Sequence, residues 1–260
     1  MPKEKLSIVK IGGNIIEDDV SLKSFLDIFS GLEGKKILVH GGGKRATSIA
    51  SKLGIESKMV NGRRITDAKT LEVITMVYGG LVNKNIVAQL QALNIDAIGL
   101  TGADANSIYS EKRPVQDIDY GFVGDVKKVN HQSVDKLIEA GFTPVFCAIT
   151  HDGLGQLLNT NADTITSQVA IGMSQIYETT IYYCFELNGV LNDINDKDSV
   201  IKHINSASYS TLLKQGIIAE GMLPKLENCF EALKNRVETI NMGNTSMLTK
   251  ENDNFTRITL

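Results

Sequence analysis

Two short apolar runs near the start of the chain each end at glycine. Residues 6–10 run into Gly12-Gly13, and residues 36–40 (K-I-L-V-H) run into Gly41-Gly42-Gly43. A buried strand that stops at glycine and opens into a helix is a β–loop–α unit, and two such units in succession restrict the chain to an α/β fold. The remaining sequence repeats the alternation. Strands are expected at 97–100, 144–149, 181–185, 237–242 and 257–260. Helices are expected at 44–53, 67–93, 131–140, from 163 to 171 and onward, 209–215 and 226–233. In the long segment 67–93, Asp67 can cap, and Leu71, Ile74, Tyr78, Leu81 and Val82 recur at helical spacing. Gly79-Gly80 inside it is either a kink or a close helix crossing, one between subunits included. Residues 106–129 have no helical period and read as a hairpin, 107–112 against 122–129. The architecture expected is a three-layer αβα sandwich with a mainly parallel central sheet. A seam near 175–180 divides it into an N-terminal domain, 1–178, and a C-terminal domain, 179–260.

Composition narrows the function classes. The chain has 260 residues, 27 Lys+Arg against 30 Asp+Glu, and a net charge of -3, so it lacks the basic excess of a nucleic-acid binder. Its three cysteines, Cys147, Cys184 and Cys229, are widely spaced and form no C-x-x-C pair, which argues against disulfides and cysteine zinc sites. The charged start M-P-K-E-K is not a leader, and no apolar run approaches the roughly 20 residues that span a bilayer. A cytoplasmic location is expected, with no membrane and no nucleic acid as partner. His131, His151 and His203 stand alone without ligand spacing, so no metal site is expected in the protein itself.

Five short motifs could carry chemistry. K-I-G-G-N, residues 10–14, puts Lys10 at the end of a buried strand, where it is either an edge lysine or one with a partner. H-G-G-G-K, residues 40–44, is a second glycine loop opening a helix. Neither is a dinucleotide fingerprint or a Walker loop, but both would lie at the carboxyl edge of the sheet, where ligands sit in open α/β folds. N-G-R-R-I-T, 61–66, offers an arginine that can fork onto a carboxylate, its neighbour being plain surface. In N-T-N-A-D, 159–163, Asn159, Asn161 and Asp163 alternate and open a helix, with capping as the plainer role. G-M-L-P-K, 221–225, sets Lys225 at a glycine turn. Two lysines, an aspartate, two phosphate-friendly loops and an arginine suit phosphoryl transfer to an acid, because that transition state needs positioning and positive charge.

Taken in order, these motifs, together with G-F-V-G-D-V at 121–126, resemble the amino-acid kinase family over nearly the whole chain. Within it they are similar to the branch that phosphorylates the side-chain carboxylate of an N-acyl-L-glutamate, N-acetyl or N-succinyl, in arginine biosynthesis. The resemblance implies ATP as donor, with Mg²⁺ held mainly by the nucleotide. It implies that Lys10 and Lys225 neutralise the transferring phosphoryl group, that Asp163 orients them, and that Gly12 and Gly13 bind phosphate oxygens. Gly42, Gly43, Arg64 and Asn159 would hold the acyl-glutamate beneath a hairpin lid, residues 107–126. Glu186, Leu187, Asn188, Gly189, Val190, Leu191, Ile217, Ile218 and Ala219 would line the ATP site. Two departures stand out: Glu186 replaces the family's Asp, and Phe255-Thr256-Arg257-Ile258 replaces G-T-x-I. With the first strand starting near residue 6, no preceding helix is expected, and the resemblance then implies a homodimer without inhibition by arginine. An N-succinyl group would bring a second charge, which Lys44, Arg45, Lys112 or Arg113 could meet. The other readings are a related kinase of a different small acid and a non-catalytic sensor. Retention of Lys10, Asp163 and Lys225 argues against the sensor.

Overall fold

Residues 3–60, 62–218, 222–249 and 252–260 are described by a computed structural model of the chain. The two opening apolar runs form β1 (Lys5–Ile11) and β2 (Lys35–His40), adjacent and parallel. Between them lie α1 (Gly13–Glu17) and α2 (Asp19–Ser30), neither of which was expected. The signal for α2 is present in the sequence. Asp18 caps it by accepting from the Ser21 N–H, and Leu22, Phe25, Leu26 and Phe29 bury one face at helical spacing.

After β2 come α3 (Gly43–Lys52) and a two-residue hairpin, β3 (Met59–Val60) with β4 (Arg63–Arg64). The helical stretch expected at 67–93 is continuous but of mixed type. It comprises α4 (Ala68–Ile74), a π-helical segment Thr75–Val82, and α5 (Asn83–Ala92). Gly79 packs towards Thr101 and Ile149, while Gly80 faces no neighbour among the described residues.

Next are β5 (Ala97–Leu100), the hairpin β6 (Ile108–Lys112) and β7 (Gly124–Val129), α6 (His131–Glu139) and β8 (Thr143–Cys147). The strand expected at 144–149 is two: β8 stays in the main sheet, and β9 (Ile149–His151) turns away to pair with β10 (Leu157–Asn159). The hairpin therefore belongs to a four-stranded sheet of order β10-β9-β6-β7. α7 (Ala162–Met173) and β11 (Glu178–Cys184) follow, then β12 (His203–Ile204), α8 (Ser206–Lys214), α9 (Leu223–Lys234), β13 (Thr239–Gly243) and β14 (Thr256–Ile258).

The main sheet has eight strands in the order β12-β14-β13-β11-β1-β2-β8-β5, parallel throughout except for β13 against β14. β1 is buried on both faces, which explains its unbroken apolar reading. α6, α7 and α9 pack together on one side of the sheet, and α2 packs with α5 on the other, giving three layers. The expected seam falls between α7 and β11, and β11 pairs directly with β1 across it. Among the described residues no helix is long and apolar enough to cross a membrane.

Candidate active site

Parallel strands carry their loops to one edge, so the ends of β1, β2, β8, β11 and β13 come together. In register, Lys10 lies beside Tyr183 of β11 and beside Val39 of β2. The next residues of the chain hold the loop: the Gly12 N–H donates to the Cys184 carbonyl at 2.9 Å, and the Phe185 N–H donates to the Gly243 carbonyl at 2.9 Å. A Cβ at Gly12 would lie 3.0 Å from that same Cys184 oxygen, so the close approach requires glycine.

Lys10 is not an edge lysine. Its side chain is 14% exposed, and Nζ lies 2.9 Å from Asp163 Oδ1. The other carboxylate oxygen, Oδ2, is 3.9 Å from Lys225 Nζ. Asp163 sits in the first turn of α7, where the helix favours a negative charge, and Asn161 does the capping by accepting from the Asp163 and Thr164 N–H groups. Burial works against ionisation of Asp163, but Lys10 and then Lys225 outweigh it and hold its carboxyl below the ordinary carboxylate range. Lys225 occupies the first turn of α9, an unfavourable end for a cation unless an anion is meant to bind there. Its ammonium also lies 5.8 Å from the centre of the Phe185 ring.

A cleft of about 260 Å³ opens over this group, with Lys10, Gly12, Gly13, Lys44, Glu186 and Lys225 in its wall. Asn14, Tyr183, Cys184 and Phe185 complete that wall, and the last three were not picked out as site residues from the sequence. The Tyr183 hydroxyl donates to the Asp163 main-chain carbonyl at 3.3 Å. Burial first, then nearby Cys229 and Asp163, push the Tyr183 phenol far above its ordinary value, so it remains a neutral donor. Burial likewise raises the Cys184 thiol, which is no nucleophile. All three cysteines are free and buried. Among the described residues, no group of three or more His, Cys, Asp or Glu side chains converges as a metal cage.

The second glycine loop forms the neighbouring half of the site. Gly42, with φ at 147°, caps α3, and a Cβ there would meet the Tyr78 ring at 3.0 Å. Of the paired arginines, Arg63 is exposed and Arg64 is buried. Arg64 Nη2 donates to the Gly43 carbonyl and to Thr47 Oγ1, each at 2.9 Å. Asn159, at the end of β10, donates through Nδ2 to Thr66 Oγ1 at 3.0 Å, and its backbone N–H reaches the Phe122 carbonyl at the loop end of the hairpin, just before β7. Arg64 thus ties the second glycine loop to Thr66, and Thr66 in turn holds Asn159. Of the basic residues considered for a second charge, Arg113 already pairs with Asp125 and Lys112 lies over the Phe122 ring. Lys44 is exposed at the cleft.

The expected nucleotide residues divide. Glu186 faces the cleft, whereas Asn188, Gly189 and Val190 turn towards the far strands. Asn188 Oδ1 accepts from Asn244 at 2.6 Å, and the Val190 N–H donates to Thr256 Oγ1 at 2.8 Å. A Cβ at Gly189 would approach Thr256 Oγ1 to 2.6 Å. Leu191 is buried against this loop and bridges to Val200. Leu187 is half-buried, Ile218 is packed into the core and Ile217 is half-buried. Ala219, Gly221 and Asn61 lie outside the described residues.

A sheet with this strand order, carrying two glycine loops and a lysine–aspartate–lysine group at its carboxyl edge, defines a phosphotransferase class. Residues 5–242 match the amino acid kinase family model, and the chain belongs to that family. It is 56% identical over 238 residues to the acetylglutamate kinase of Bacteroides fragilis, covering 92% of this chain and 91% of that protein. The acetylglutamate kinase of Phocaeicola vulgatus is 59% identical over 231 residues, covering 89% and 90%. Among solved structures, the N-acetylglutamate synthase of Neisseria gonorrhoeae, complexed with coenzyme A and N-acetyl-glutamate, superposes with a TM-score of 0.81 at 17% identity, over 99% of this chain and 59% of that one. The carbamate kinase of Giardia lamblia bound to AMP-PNP gives 0.70 at 12% identity, over 99% and 98%. Those structural likenesses speak to the fold.

Proposed function

We propose that this chain transfers the γ-phosphoryl group of ATP to the side-chain carboxylate of N-acetyl-L-glutamate, making an acyl phosphate for arginine biosynthesis. The observation that carries the reading is Asp163 bridging Lys10 and Lys225 in a cleft between two glycine loops. The curated names of relatives at 55–59% identity point to the same reaction.

A carboxylate is already a nucleophile at neutral pH, so the chain needs no general base. One carboxylate oxygen forms a bond to the γ-phosphorus as the bond to the β,γ-bridging oxygen breaks, and ADP leaves with that electron pair. Lys10 and Lys225 offset the charge spread over the phosphoryl oxygens, and Asp163 keeps both ammonium groups aimed at it. Gly13 offers its backbone N–H to the phosphates, while Gly12, whose own N–H is held by the Cys184 carbonyl, lets the loop pass close to them. Arg64 takes a carboxylate of the acceptor, while Gly42, Gly43 and Asn159 hold the remainder. The hairpin β6–β7 covers that side. Glu186 faces the donor from the cleft wall, and the segment 187–191 behind it backs the nucleotide side, so residues 1–178 serve the acceptor and 179–260 the donor. Mg²⁺ bound to the nucleotide's phosphates would supply further positive charge. A homodimer in the cytoplasm completes the reading.

The test is ATP-dependent acyl-phosphate formation, trapped as a hydroxamate, on N-acetyl-L-glutamate, with N-succinyl-L-glutamate, L-glutamate and L-aspartate alongside. Turnover highest on N-acetyl-L-glutamate supports the reading. Preference for another acid by a folded, ATP-binding protein overturns it.

A further inference from the structure

His40 ends β2 just before the second glycine loop and is completely buried, yet the chemistry above gives it no part. Its Nδ1 lies 2.7 Å from the Gly41 carbonyl, which can only accept, so Nδ1 carries the proton. Nε2 is then an acceptor, and Asn83 Nδ2 donates to it at 3.0 Å. The same amide donates to the Val145 carbonyl at 2.9 Å, and its oxygen accepts from Lys84 Nζ at 3.2 Å. Every side-chain polar atom of His40 and Asn83 is therefore used. The sheet makes room for this: a Cβ at Gly99 would fall 1.8 Å from Asn83 Oδ1 and 2.8 Å from Lys84 Nζ.

Asn83 is the residue that closes the π-helical turn. Its backbone N–H is shared between the Gly80 carbonyl, three residues back, and the Tyr78 carbonyl, five residues back. In an α-helix, residues five apart point about 140° away from each other; a π turn brings them back to one face. Here that face meets the glycine loop twice. Tyr78 lies against Gly42, and its hydroxyl would be 3.7 Å from a Cβ at Gly43, beside Arg64 Nη2 at 3.8 Å. Asn83 meets the loop through His40.

We infer that the π turn exists to let Tyr78 and Asn83 grip the glycine loop together, with neutral His40 as the positioning residue that passes the grip to Gly41 and so to the acceptor side of the site. Burial, the largest influence, depresses the imidazole to about 4, in keeping with a neutral ring at physiological pH. The inference rests on the reading that this loop holds N-acetyl-L-glutamate.

Steady-state kinetics of the full chain and of Asn83→Ala and His40→Gln test it, with folding followed by circular dichroism. The KM for N-acetyl-L-glutamate should rise about tenfold, as for a lost buried hydrogen bond, while the KM for ATP stays within about twofold. Folded variants in which both KM values rise together, or neither moves, overturn the grip. A second measurement needs no substitution: ¹⁵N NMR of the wild-type imidazoles. His40 should show the Nδ1–H tautomer and an Nε2 resonance that shifts with N-acetyl-L-glutamate and not with an ATP analogue. The other tautomer, or a response to the nucleotide alone, contradicts the inference. A wild type inert towards N-acetyl-L-glutamate overturns the functional reading as well; an active wild type with unselective variants overturns only the grip.

Discussion

The ends of β1 and β2 lie side by side, and each places a titratable residue where water is scarce. Lys10 ends one strand with its ammonium 2.9 Å from a carboxylate. His40 ends the other, fully buried, hydrogen-bonded through both ring nitrogens and facing no carboxylate in either bond. The two solutions match what each half has to meet. On the proposed reaction the β1 side receives phosphates, so it presents ammonium groups and tolerates the cost of a buried pair because the partner is held in place. On the same reading the β2 side receives an acid through Arg64 and loop backbone, so its burden is shape, and a network of neutral ring and amide, with Lys84 as its one cation, fixes the loop. Adjacent positions on one sheet edge thus divide into an electrostatic half and a geometric half.

Substitutions can break or sharpen that division. The largest effect belongs to Lys10→Ala: kcat should fall by roughly 10²–10³, as when one preorganised donor is removed, with both KM values within about threefold. A loss confined to the KM for ATP would move Lys10 out of the transition state. Asp163→Asn comes next, with kcat down by roughly 10² and a change in stability against pH. The Asp163 carboxyl is held below its ordinary value of 3.8 in the fold, so it contributes stability that is present above 3.8 and is lost as pH falls from there through the lower folded-state value. The acid limb of wild-type denaturation should accordingly be steeper than that of the variant. Gly99→Ala probes the geometric half from a distance. Its methyl displaces Asn83, so the KM for N-acetyl-L-glutamate should rise about tenfold without a matching change for ATP.

Smaller still is the effect of His40→Gln on the pH dependence of folding. The native imidazole titrates near 4 against 6.5 for the free group, so the unfolded chain binds the proton first. Wild-type stability should decline as pH falls from 6.5 towards 4, and chemical denaturation should show that part of the slope missing from the variant. Phe185→Leu is the mildest. Removing a ring 5.8 Å from the Lys225 ammonium should lower kcat about two- to fivefold, consistent with ~0.5–1 kcal/mol for a partly exposed cation–π contact. An unchanged kcat would leave Asp163 as the sole anchor of Lys225.

The electrostatic half was the more legible in the sequence, because it is built from motifs. Lys10, Gly12, Gly13 and Asp163 each sit in a short string whose chemistry shows without the fold. The β2 half was legible only in part. H-G-G-G and Arg64 stood out, but Asn83 and Tyr78 lie on a helix whose residues read as ordinary apolar and polar positions. Gly79-Gly80 was open to two readings, a kink or a crossing; the structure gives a widened turn, which a 3.6-residue period cannot anticipate. Gly99 looked like any glycine in a strand, since its need for hydrogen at Cα arises from a side chain 16 positions earlier. α2 was missed although its cap and apolar face were both present, and β9–β10 was missed because three-residue strands carry too little alternation to register.

The most direct test of the account is a double-mutant cycle of Lys10→Ala and Asp163→Asn in kcat for hydroxamate formation from N-acetyl-L-glutamate. If Asp163 acts by holding the lysines, the double variant should lose less than the product of the two single losses, because in the Lys10→Ala background Asp163 has only Lys225 left to orient. Multiplicative losses from the two substitutions would contradict the claim and give Asp163 a role of its own in the reaction.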